Sequence, residues 1–254
     1  MSLAPIGSLT IPRMPVVIPL RTNTVCARCD QRAVSVCAAI PDEDLHHLAA
    51  AATTMLVPMG HAFIAEGDSA NSFYNITHGT ARLFKLLPDG RRQITGFAGP
   101  GTFLGLAAQE TYAFGAEALE PVRLCRFSRT GLADLMEDFP ALEQRLLQVA
   151  CTELVMAQEK MLLLGRKTAR ERLATFLIGR VTQGAHCPHG QTLATTLPLP
   201  MSRSDIADYL GLTIETVSRT LSKLKAEGLI ALPNASEVVL RDAAALHAIA
   251  SGEG

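Results

Sequence analysis

Between Pro140 and Gly165 the chain runs without a proline or a glycine. Within that stretch Leu147, Ala150, Leu154, Ala157, Met161 and Leu164 recur at alternating spacings of three and four. A helix with 3.6 residues per turn gathers such positions into one stripe, and the alternation is the a/d seam of a coiled coil. Leu142, Leu146, Val149 and Met156 form a second stripe beside the first. Two neighbouring stripes suit a helix that packs on its own domain with one and on a second copy of the chain with the other. Residues 140–166 are therefore expected to be a dimerisation helix and the protein a homodimer; a helix packed only on its own domain is the competing reading.

The sequence before that helix has a different texture. From about Pro58 to Leu124 it is punctuated by nine glycines, with short apolar and β-branched runs between them such as Phe73-Tyr74-Asn75-Ile76-Thr77. Short strands with turns every 8–12 residues read as an antiparallel β-roll or barrel. In Leu87-Pro88-Asp89-Gly90-Arg91 the proline fixes φ and the glycine accepts the positive φ that follows, which predicts a tight turn. Further upstream, Pro5, Pro12, Pro15 and Pro19 break any helix in the apolar stretch Met1 to Thr22. That stretch has no basic leader and no continuous apolar run, so it is expected to be a flexible arm rather than a signal or membrane segment, and the protein cytoplasmic. In a reducing compartment, close cysteine spacing points to metal or redox chemistry more than to disulfides.

A composition of 48% hydrophobic and 19% charged residues, with a net charge of −1, describes an ordinary globular chain and by itself favours no partner. The distribution of charge says more. Between Lys160 and Ile230 there are 10 Lys and Arg against 5 Asp and Glu, leaving 13 against 19 elsewhere. A basic C-terminal half is the footprint of a nucleic-acid-binding end. Within it, Ser202 to Leu210 reads as a short helix, Gly211 as its stop, and Thr213 as the N-cap of a second helix running through Lys225 with Val217, Leu221 and Leu224 inward. Helix, glycine-containing turn and helix is the helix-turn-helix outline. Glu215, Ser218 and Arg219 then share one outward patch at the end that enters a major groove. Arg can donate twice to guanine, Glu can accept from cytosine, and Ser can do either. A helical hairpin with a Glu215–Arg219 surface ion pair is the bland alternative. Val238-Val239-Leu240, after Pro233-Asn234, reads as part of a wing.

The stretch from Ser204 to Arg219 closely resembles the DNA-binding motif of the CRP/FNR family of transcription regulators. Met161-Leu162-Leu163-Leu164-Gly165-Arg166 onward resembles the end of that family's dimer helix, and Gln93-Ile94-Thr95-Gly96-Phe97 a strand of its β-roll. The resemblance covers nearly everything after about Cys26. It implies an α+β fold: a cyclic-nucleotide-binding-like antiparallel β-roll, a long dimerisation helix and a C-terminal winged helix-turn-helix. The corresponding domains are an arm over 1–22, a cysteine-bearing segment and sensory β-roll over 23–139, the helix over 140–166 and the DNA-binding domain over 167–254. Glu215, Ser218 and Arg219 resemble the FNR and FixK branches, which implies a palindrome of the form TTGAT-N4-ATCAA in double-stranded DNA. RNA polymerase is the further implied partner, touched in part by the turn of Leu87, Asp89, Gly90, Arg91 and Arg92.

What the β-roll senses is constrained by two features. A cyclic nucleotide carries a phosphate that needs a cation or a helix N-terminus, and the family places an Arg after its glycine-rich turn. Gly105 to Leu119 contains neither Lys nor Arg, so no cyclic nucleotide is expected. Cys26-x2-Cys29-x7-Cys37 places three thiols within 12 residues, and Cys125 lies at the far end of the roll. Four thiolates satisfy zinc or a 4Fe-4S cluster, and spacing does not separate the two. The resemblance to FnrL- and FnrN-type regulators implies an oxygen-labile 4Fe-4S cluster on these four cysteines. The Gly165–Arg172 run is equally typical of FixK proteins, which lack the cluster. Cys151 is expected to be packing in the long helix and Cys187 part of a polar interdomain loop. An iron–sulfur or zinc protein without a sensing role stays open, but no nucleophile–base constellation, P-loop or dinucleotide fingerprint points to an enzyme.

Overall fold

The structure is a computed structural model, and it describes residues 26–106, 110–184 and 196–253. The N-terminal arm and Cys187 lie outside the described residues. The cysteine-bearing segment leads through a 3-10 turn at Val36–Ala39, and then another, into helix α1 (Leu45–Ala51). Eight strands follow: β1 (Ala52–Val57), β2 (Ala62–Ile64), β3 (Ser72–His78), β4 (Ala81–Leu86), β5 (Arg92–Ala98), β6 (Phe103–Leu104), β7 (Gly115–Ala118) and β8 (Val122–Ser128). They form two antiparallel sheets of order β1-β8-β3-β6 and β2-β7-β4-β5. Alternation of side chains sends Ile76, Leu124 and Val57 from the first sheet and Ile64, Ala116 and Ala118 from the second into one shared core. The roll begins at Ala52, before the Pro58 at which the glycine pattern starts. Gly90 takes φ +84°, and the Gly90 N–H donates to Leu87 O at 2.9 Å, the turn expected from Pro88 and Gly90.

The first sheet is covered on its outer side as well. Phe73 and Phe127 point there, and onto them pack Ile40 and Leu48 of the preceding segment and Leu132 of helix α2 (Arg129–Asp138). Leu142 and Leu146 of the long helix α3 (Pro140–Arg166) close the same cluster. Pro140 opens α3 at a position where its missing N–H costs nothing.

The C-terminal part is α4 (Ala169–Gly184), β9 (Thr196–Pro198), α5 (Arg203–Leu210), α6 (Ile214–Ala226), β10 (Ile230–Asn234), β11 (Glu237–Leu240) and α7 (Ala243–Ser251). Sheet order β10-β11-β9 makes the wing. One apolar core holds the domain, with Leu173, Leu177, Leu210, Val217, Leu224 and Val238 all at 0% exposure. Among the described residues no helix is long and apolar enough to cross a membrane.

The β-roll touches this domain through charge and aromatic contacts. Arg82 of β4 donates to Asp205 Oδ1 of α5 at 2.7 Å and to Glu117 Oε1 of β7 at 2.6 Å. Gln93 of β5 donates to Asp208 O at 2.5 Å, and Phe97 packs against Tyr209 with ring centroids 5.2 Å apart. Burial alone would raise the Asp205 pKa. The hydrogen bonds from Ser202 and the Arg82 guanidinium outweigh burial and hold the carboxyl below its usual range. A depressed folded-state pKa adds stability that is fully present above the unfolded value and lost as pH falls through the folded one. Arg82→Ala leaves Asp205, 5% exposed, without its nearest cation. The expected cost is on the order of 3 kcal/mol in urea unfolding at pH 7, shrinking below about pH 4 as the carboxyl is protonated in both states. A cost under about 0.5 kcal/mol at pH 7 would place the pair among solvent-screened surface contacts.

Candidate functional site

The two helices expected from the sequence are built by their caps. Ser202 Oγ accepts from the Asp205 N–H at 3.1 Å, while Asp205 Oδ2 accepts from the Ser202 N–H at 2.9 Å, a capping box that starts α5. Gly211 ends α5 at φ +61°, a left-handed conformation that glycine adopts without strain. Thr213 Oγ1 then accepts from the Thr216 N–H at 3.2 Å and starts α6. Val217, Leu221 and Leu224 are buried beneath α6, and Glu215, Ser218 and Arg219 are exposed on its other side. Glu215 sits in the first turn, where its backbone N–H and the Thr213 hydroxyl, helped by Arg219, hold the carboxyl below its ordinary range. Arg219 reaches the Thr216 hydroxyl at 3.5 Å, and among the ion pairs of the described residues there is none between Glu215 and Arg219. An acceptor, a two-way hydroxyl and a forked donor thus face outward together.

On α3 the first apolar stripe, apart from Leu164 at its end, is left uncovered by the described residues. Leu147 is 65%, Leu154 61% and Met161 70% exposed, Ala150 and Ala157 are also exposed, and Leu164 is half-buried. The second stripe divides: Leu142 and Leu146 are buried and Val149 half-buried in the cluster against the first sheet, but Met156 is exposed. The roll ends before it reaches that far along the helix.

The four cysteines come from separate places and line one cavity of about 190 Å³. A turn closed by the Cys29 N–H donating to Cys26 O at 3.3 Å presents the first two. Cys37 follows Ser35, whose Oγ accepts from the Cys37 N–H at 3.3 Å. Cys125 lies on β8, in register with Thr54 on β1 and Asn75 on β3. Burial, then the other three cysteines, pushes the Cys125 thiol up to about 12, and burial pushes the Cys37 thiol up to about 11. Cys151 is exposed on α3, away from this cavity. At the β4–β5 turn Leu87 is exposed, and Asp89 and Arg91 pair with each other at 2.7 Å beside Gly90. Arg92 instead folds back, 3.6 Å from Asp205.

Three groups went unmarked in the sequence. Arg82 and Asp205 are 123 residues apart, with no local pattern to join them. Asn75 carried no signal beyond being polar within an apolar run. Asp44, His46 and His47 at the start of α1 bring potential ligand atoms within 4.8 Å of one another, the one such trio among the described residues.

Residues 55–139 match the cyclic nucleotide-binding domain and residues 171–249 the Crp-like helix-turn-helix domain. The nitrogen fixation regulation protein FixK of Bradyrhizobium diazoefficiens is 40% identical over 243 residues, covering 93% of this chain and 99% of that one. The transcriptional activator protein FnrL of Cereibacter sphaeroides is 35% identical over 245 residues, 94% of each chain. The structure of FixK2 from Bradyrhizobium japonicum superposes with a TM-score of 0.72 at 37% identity, covering 78% of this chain and 96% of that chain. With a β-roll, a long helix and a winged helix-turn-helix in that order, the chain belongs to the CRP/FNR family of DNA-binding transcription regulators.

Proposed function

We propose that the protein is a homodimeric, oxygen-responsive regulator in which Cys26, Cys29, Cys37 and Cys125 hold one 4Fe-4S cluster per subunit and α6 reads a TTGAT-N4-ATCAA-like palindrome. The observation that carries this reading is the convergence of four thiols from three parts of the chain on one cavity. Thiolate is the usual ligand of such a cluster, and the donor set here is four sulfurs with no competing carboxylate needed.

A bound cluster supplies a cross-link that oxygen can destroy. The chain's own residues do the rest. With thiols at about 11 and about 12, Cys37 and Cys125 hold their protons at neutral pH, so ligation must displace those protons and becomes ordering free energy for the segment. Cys37 belongs to the same apolar cluster as Leu142 and Leu146, and Arg145 of α3 donates to Val34 O at 3.4 Å. An ordered segment therefore braces the first turns of α3, from which the seam of Leu147, Ala150, Leu154, Ala157, Met161 and Leu164 continues. The seam brings two copies of Glu215, Ser218 and Arg219 to two half-sites. RNA polymerase meets the exposed turn of Leu87, Asp89, Gly90 and Arg91; Arg92, turned toward Asp205, serves the domain contact instead.

No cyclic nucleotide enters this scheme. Tyr74, Ile76 and Leu124 are among the side chains packed between the sheets, and Gly105 to Leu119 offers no cation to a phosphate. The second reading, a cluster-free FixK-type regulator, is favoured by the 40% identity to FixK over nearly the whole chain.

In the deciding experiment, protein purified and reconstituted without oxygen shows visible cluster absorbance that air bleaches, while palindrome affinity falls. Alanine at Cys26, Cys29, Cys37 or Cys125 abolishes the absorbance, and Cys151→Ala keeps it. A variant lacking all four that binds the palindrome as tightly as anaerobic wild type, with a wild type equally active in air and nitrogen, would establish the FixK-type reading instead. Arg219→Ala is expected to weaken binding to the palindrome by about 1–3 kcal/mol, read by fluorescence anisotropy, with random DNA hardly changed. Equal losses on both DNAs would take Arg219 out of base reading. Leu154→Asp places a carboxylate at the seam and should leave a folded monomer in analytical ultracentrifugation; a persistent dimer would move the interface elsewhere.

A further inference from the structure

Asn75 is an anomaly on the outer row of β3. Its neighbours on that face are Phe73, in the apolar cluster, and Thr77, at the margin. Asn75 itself is 1% exposed, and its Oδ1 has no hydrogen-bond partner. Burying an amide with its acceptor unsatisfied costs free energy that a leucine of similar size would not. The donor half is used. Asn75 Nδ2 donates to Cys37 Sγ at 3.9 Å, across 38 residues of chain. Strand register puts the same residue directly opposite Cys125. One buried amide therefore bonds to one cysteine and neighbours another, and the two cysteines come from different segments.

We propose that Asn75 is a positioning residue of the cysteine site, its amide donating to the Cys37 sulfur as that sulfur takes on negative charge, so that it sets how firmly the site holds its metal group and how readily that group is oxidised. The inference rests on the reading of the four cysteines as ligands of an iron–sulfur cluster. Two physical effects follow from an N–H aimed at a ligating sulfur. The donor favours the charged sulfur that ligates metal, as hydrogen bonds to ionised acceptors do. It also draws electron density from the sulfur, and hydrogen bonds to cluster sulfurs are among the factors that set the potential. Removing the donor should lower the midpoint potential, making the cluster easier to oxidise.

The test compares the full-length wild type with Asn75→Leu and Asn75→Gln after anaerobic reconstitution with iron and sulfide. Far-UV circular dichroism and urea unfolding of the metal-free proteins check the fold separately. Asn75→Leu should take up iron but bleach in air roughly tenfold faster, with a lower midpoint potential; Asn75→Gln, which keeps the donor, should restore part of both. If Asn75→Leu does not fold, Asn75→Ala removes the donor without adding bulk, and the same two readouts apply. Folded variants with wild-type bleaching and potential would overturn the role of Asn75 while leaving the cluster in place. A wild type that takes up neither iron nor sulfide would overturn the cluster reading itself, and this inference with it.

Discussion

The outer face of the β1-β8-β3-β6 sheet is apolar, and covering it is the constraint on which the N-terminal half of the molecule turns. Phe73 stacks on Phe103 with centroids 5.8 Å apart, and Phe127 stands beside them at 1% exposure. A sheet with large aromatic groups on both faces cannot leave one to water. The cover comes from two sources that are remote in sequence: Val36, Ile40 and Leu48 before the roll, and Leu132, Leu142 and Leu146 after it. Because both sources share one cluster, a change in how the cysteine-bearing segment sits is felt at the start of α3. Close packing transmits such a shift rather than absorbing it.

Magnitudes explain why that coupling can govern association. Burying a large apolar side chain is worth about 1.5–3 kcal/mol, and Leu147, Leu154 and Met161 are each mostly exposed on the isolated helix. A symmetric pair doubles them. The sum, about 9–18 kcal/mol at full burial, overlaps the roughly 4–15 kcal/mol that association itself costs. In the proposed dimer, a seam so balanced would support pairing only when the helix presenting it is held in place.

The long helix α3, the helix-turn-helix and the turn at Gly90 were legible in the sequence because each rests on interactions within a few residues. Ser202, Asp205, Gly211 and Thr213 cap their own helices, and apolar spacing on α6 needs only helical geometry to declare its inner face. The four cysteines were legible as a set only with a family resemblance, since spacing connects three of them and nothing local connects Cys125. What could not be read depends on where the roll ends and how the domains meet. Met156 has the spacing of a core residue and is exposed, while Leu142 and Leu146 of the same stripe are buried. The first strand begins at Ala52 in an alanine- and threonine-rich stretch that carries no strong strand pattern, and it is held by pairing with β8.

The join between the halves is of a different kind from either core. Arg82, Glu117 and Asp205 are half-buried to buried, with Arg92 alongside, and Phe97, Phe176 and Tyr209 cluster next to them. Lys160 of α3 lies over the Tyr209 ring, and burial pushes its ammonium down to about 7. Tyr209 therefore meets the β-roll, the long helix and its own domain at once. Ionic contacts are directional where apolar ones are not, and each needs its partner within a narrow range of positions. Asp205 answers to both demands: the carboxylate that caps α5 is also the one that Arg82 holds. The start of the helix-turn-helix is thus tied to the β-roll by the same side chain that forms it. A displacement of the roll along α3 cannot leave the first helix, or the α6 packed on it, where they were.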